Sequence, residues 1–125
     1  MSNRFGQGRD LRFGVIDAGW SGDYLLATVA SNMQIKVVSY ALSSNSSSPV
    51  PFQFQSGATG SPGTRILTGG IQISNNRPPA IMISSPIAHL FETNVGGNLY
   101  ARINASAYVG GHFSYFYENL AASGQ

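Results

Sequence analysis

Apolar and polar residues alternate with a period of two through most of this 125-residue chain, and nothing else in it restricts the fold as strongly. Successive side chains on a strand point to opposite faces, so this pattern buries one face of a sheet; an amphipathic helix would need apolar residues three and four apart. "VPFQFQSG" (50–57) sets Phe52 and Phe54 against Gln53 and Gln55, and "LYARINA" (99–105) sets Leu99, Ala101 and Ile103 against Tyr100, Arg102 and Asn104. Strict alternation in "QIKVVSYALS" (34–43) places Ile35, Val37, Ser39 and Ala41 on one face and Lys36, Val38, Tyr40 and Leu42 on the other. The last segment, "YVGGHFSYFYE", carries Phe113, Tyr115 and Tyr117 on one side and His112, Ser114 and Phe116 on the other. Its paired Gly110 and Gly111 suit a bulge or the close approach of a neighbouring chain.

Breaks fall at regular intervals. "SSNSSSP" (43–49) is too polar to pack, "ATGSPG" (58–63) is turn material, and "NNRPP" blocks both helix and ladder. Eight or nine short strands with turn signals every 8–12 residues predict an all-β fold: a single antiparallel β-sandwich of jelly-roll or Greek-key type. The length suits one domain, with an arm at 1–12, the sandwich at 13–118 and a tail at 119–125.

Only 10% of the residues are charged, against about 25% in ordinary soluble domains, and a surface so poor in charge is often covered by something else. Arg4, Arg9 and Arg12 against Asp10 leave the first twelve residues net positive, while the remaining acids and bases cancel. Three arginines diluted by Gly, Ser and Asn are too sparse for phosphate affinity, so nucleic acid is not expected as a partner. The basic arm reads instead as a segment that orders on a protein. The chain has no cysteine, which excludes disulfides and thiolate chemistry. It shows neither a signal-peptide core nor an apolar run of the roughly 20 residues that span a bilayer, so synthesis in the cytoplasm and no membrane partner are expected.

Residues able to carry chemistry are few. His89 and Glu92 stand three apart, which on a strand sends them to opposite faces, and His112 lies in another segment; no metal site is expected. Asp17 and Asp23 flank the "AGWSG" turn, where acids usually bond their own backbone. No serine sits in a nucleophile elbow, and "GATGSPG" lacks the Lys-Ser/Thr ending of a phosphate loop. The reading is therefore no enzyme and no cofactor. Trp20, with Tyr24 nearby, leaves open a sugar-stacking surface, although a single tryptophan more often plugs a core or anchors an interface.

The ordered series "GDYLLATVASNMQIKVVSYALS", "FQFQSGATG" and "HLFETNVGGNLYARINASAYVGGHFSYFYE" resembles the small β-sandwich virion proteins of tailed bacteriophages over about residues 13–118. That resemblance implies a capsid decoration or cement protein, or a head-fibre module. It implies a homotrimer bound to the major capsid protein on the virion surface, stabilising the shell. Under it, Arg4, Arg9 and Arg12 become candidates for capsid contact, and Trp20, Tyr100, Arg102 and Tyr115 for the subunit interface. Two features depart from the family pattern: the "NNRPPAIMISSP" insertion and the arginine-bearing leader. The alternative function is a glycan- or receptor-binding fibre module.

Overall fold

The computed structural model describes residues 10–19, 21–58, 61–84 and 88–119. Within them lie ten strands and no helix: β1 (Arg12–Ala18), β2 (Gly22–Ala27), β3 (Met33–Ser44), β4 (Val50–Ala58), β5 (Ser61–Ile66), β6 (Ile71–Ile73), β7 (Ala80–Ile83), β8 (Phe91–Glu92), β9 (Asn98–Ile103) and β10 (Val109–Asn119). The expected turn at 58–63 is shorter than the sequence suggested, because β5 already begins at Ser61 and pairs there with Ala58. No helix among the described residues is long and apolar enough to cross a membrane.

Every pairing is antiparallel, and the first four strands pair in reverse order with the rest: β1 with β10, β2 with β9, β3 with β7 and β8, β4 with β5 and β6. The chain is thus one long hairpin rolled on itself, with alternate arms in opposite sheets. The first sheet runs β1-β10-β3-β7 with β8 also on β3, and the second runs β2-β9-β4-β5 with β6 also on β4. This is the jelly-roll arrangement of a β-sandwich.

Alternation decides what each sheet contributes to the core between them. Ile16, Ile35, Val37, Leu42 and Phe113 come from the first sheet; Phe52, Phe54, Leu99, Ala101 and Ile103 from the second. Phe54 is fully buried, with ring centroids of Phe52, Phe91 and Tyr40 at 5.0, 5.1 and 5.2 Å. Phe113, Tyr115 and Tyr117 face inward as one row, as their spacing predicts.

The two-faced reading of β3 needs correction. Ser39 pairs with Ser114 but Val37 pairs with Tyr115, so Val38 is an extra residue in a β-bulge. One inserted residue reverses the face of everything beyond it. Tyr40 and Leu42 therefore join Ile35 and Val37 against the core, while Ser39 and Ala41 turn to the outer face.

Glycine permits the tightest strand contacts. Gly111 has φ of 153°, and a Cβ there would run into the carbonyl of Ala41, so only glycine suits this point of β10. At Gly14 the missing side chain makes room for the Phe113 ring, which lies across β1 on the core side. Buried polar groups close the ends of the sandwich: Thr93 Oγ1 accepts from the Ile35 amide, Asn98 Oδ1 from the Val29 amide, and Ser56 Oγ from the Asn94 amide.

Candidate interaction surface

Arg4, Arg9 and Trp20 lie outside the described residues. Arg12 opens β1 with its guanidinium 4.9 Å from the centre of the Tyr117 ring and 3.9 Å from Asp10. Tyr115 stacks on Phe113 at 5.2 Å and meets Tyr117 edge-on at 5.6 Å. Its hydroxyl titrates above the ordinary phenol range, mainly through burial and then through Tyr117, with Arg12 opposing. Tyr100 is 6% exposed and donates to the Ala58 carbonyl at 3.1 Å. Tyr115 packs against the core, whereas Tyr100 is buried on the opposite face of β9 from Leu99 and Ala101. Arg102 is half-exposed, with Nη1 3.1 Å from both carboxylate oxygens of Asp23.

The acids and histidines fall differently from the expectation. His89 lies just before β8, which is only Phe91–Glu92, so strand alternation does not govern it. The chain turns there, and His89 Nε2 comes within 3.0 Å of Glu92 Oε1 instead of facing away. Lys36 Nζ completes the cluster at 3.4 Å from Glu92 and 3.1 Å from Glu118. Burial works to raise the Glu92 pKa, but the charge and hydrogen bond of Lys36, with Gln34 and His89, outweigh it and hold the carboxyl below its ordinary value. Asp17 and Asp23 are not partners. Asp17 meets the Tyr108 hydroxyl, whose pKa it raises, while Asp23 takes Arg102.

Clefts of about 280, 200 and 230 Å³ open on the described surface. All are smaller than the roughly 300–1,000 Å³ of typical small-molecule sites. The last opens between the sheets beside β7, lined by Tyr40, Leu67, Thr68, Met82, Leu90 and Phe91. Tyrosine phenols are the only titratable groups on these linings, so no acid–base pair converges there. Among the described residues no three His, Cys, Asp or Glu side chains gather as metal ligands.

The feature most unlike an ordinary monomer surface lies on the outer face of the first sheet. Phe13 and Val15 of β1 are 73% and 76% exposed, and Ile81 and Ile83 of β7 are 57% and 72% exposed. They stand at opposite margins of one sheet in shared rows. Phe13, Ser114, Ser39 and Ile83 follow one another across it, as do Val15, His112, Ala41 and Ile81. The centre is low, with Ser39 and Ser114 joined hydroxyl to hydroxyl. Sequence reasoning missed these four residues because Phe13 and Ile83 look like core residues until the register is known. The one available signal was the opposite phase of Ile16 and Ala18, which are buried. Compared with known proteins, the chain matches no family model, no curated protein and no solved structure.

Proposed function

We propose that this chain is a structural virion protein of a tailed bacteriophage, binding the capsid exterior as a decoration or cement protein in homotrimeric form. The observation that carries the reading is the pair of exposed apolar margins, Phe13 with Val15 and Ile81 with Ile83, on a jelly roll whose whole sequence is only 10% charged. Each margin sets two large apolar side chains together in water, and exposed apolar patches rimmed by polar residues mark association sites. The ordered motif series of residues 13–118 supports the same reading by its resemblance to phage virion proteins. The arginine-bearing leader, of which Arg12 begins β1, is the element assigned to the capsid surface.

Stabilisation would follow from mass action. A subunit that binds only the expanded lattice lowers its free energy by RT ln(1 + [L]/Kd), about 2.7 kcal/mol per site at a hundredfold excess over Kd. The test is cosedimentation of the purified chain with expanded shells of the encoding phage, followed by localisation in a reconstruction of the particles. Saturable binding at a copy number matching a lattice position is expected. Purified virions that lack the chain, and shells that ignore it, would overturn the proposal.

A further inference from the structure

Among the described residues the first sheet ends at β1 on one side and at β7 on the other, and each outer strand offers backbone groups to a further strand. Natural proteins usually blunt such edges with lysines, prolines or bulges. β7 reads "AIMI", without charge or proline inside it, and the stretch of β1 beside Phe13 and Val15 contains no lysine and pairs with β10 without a register shift.

Four strands in fully antiparallel order make β1 and β7 run in opposite directions. A second copy set alongside in the same orientation therefore presents its β1 antiparallel to β7 of the first. With no stagger, the rows of the sheet continue across the joint. Phe13 then falls beside Ile83 and Val15 beside Ile81, so each exposed apolar pair gains the other as a cross-strand neighbour.

Charge agrees with this alignment. Ile16 shares a row with Ala80, through Gly111 and Leu42, so Asp17 comes one place beyond the start of β7, on the side of the turn that holds Arg77. Asp17 and Arg77 are both exposed, and neither forms an ion pair among the described residues. The joint sets these opposite charges at the same end of the apolar contact.

We propose that β7 of one copy pairs with β1 of the next, head to tail, so that the first sheet runs on from copy to copy. The partner is a second copy of this chain. The two halves of the joint are different surfaces, so the contact is heterologous and makes a ring when the rotation per step closes. This deepens the assembly reading of the preceding subsection and rests on it for the closed trimer.

The chain has no cysteine, so introduced thiols give a clean readout. Antiparallel neighbours place Cα atoms about 4.5–5.5 Å apart, within the span of a disulfide. Copies carrying Phe13→Cys are mixed with copies carrying Ile83→Cys and oxidised, with circular dichroism confirming that both remain β-folded. Disulfide dimers of unlike copies are expected, with each variant alone giving at most a tenth of that yield. Like-with-like dimers, or no crosslink from folded protein, would refute the joint. Asp17→Lys in the Phe13→Cys copy should cut the yield severalfold, and Arg77→Asp in the Ile83→Cys copy should restore it; absence of restoration refutes the register. Crosslinking takes place without shells, so joined copies that ignore capsids sustain the joint and sink the decoration reading. Chains that bind shells as unjoined monomers do the reverse.

Discussion

Replacing Phe54 by alanine removes the ring on which the inter-sheet core is built. That ring is fully buried on β4, which lies between β9 on one side and β5 and β6 on the other, so the backbone around the gap is held in place. Loss of the transfer term alone costs about 1.5–3 kcal/mol. A void of roughly 100 Å³ that fails to collapse adds about 2 kcal/mol at ~24 cal/mol per Å³. The three ring contacts with Phe52, Phe91 and Tyr40 disappear as well. The expected loss is therefore about 4 kcal/mol, a large part of the roughly 5–15 kcal/mol that keeps a domain folded. Equilibrium urea unfolding measures it: with a slope of about 1.5 kcal/mol per molar, the midpoint should fall by roughly 2–3 M. Phe54→Leu, which refills much of the space, should lose only about 1–1.5 kcal/mol. A loss below ~1 kcal/mol for Phe54→Ala would show that the cavity collapses, and the rigid-wall reasoning would fail.

Gly111→Ala should destabilise by about 3 kcal/mol or more through its clash with the Ala41 carbonyl and its positive φ, whereas Gly69→Ala, whose Cβ meets nothing within 4 Å, should change the unfolding midpoint little. Glu92 has a folded pKa below its ordinary value of 4.5, so its contribution is complete above that value and fades as the pH falls through the lowered one. Glu92→Gln should accordingly flatten the acid limb of a stability–pH profile below about pH 5, by less than ~1 kcal/mol because the side chain is 36% exposed. A limb as steep as that of the parent would contradict the assignment. Arg102→Ala should cost less than ~1 kcal/mol in thermal or urea unfolding, since its pair with Asp23 is partly solvated.

Legibility in the sequence followed the range of each interaction. The strands at 34–43, 50–57 and 99–105 and the inward row of Phe113, Tyr115 and Tyr117 were readable because alternation along an extended chain is a local property. The core pair Phe52 and Phe54 was readable for the same reason. The exchange of faces at Val38 was not, because a bulge exists only relative to the partner strand. His89 and Glu92 were assigned to opposite faces on the assumption of a continuous strand, and a turn brought them together. Tyr100 and Tyr115, interface candidates under the resemblance, are buried and half-buried by their own chain, while Phe13 and Ile83 are left outside.

The sequence by itself determined that this protein is a charge-poor antiparallel β-sandwich, since a two-residue period and frequent turn breaks allow no helical burial. Only the tertiary structure decided which apolar residues reach the core and which line up at the margins of the first sheet. The physical reason is that register joins residues far apart in the chain, and no local pattern encodes which row a side chain will occupy.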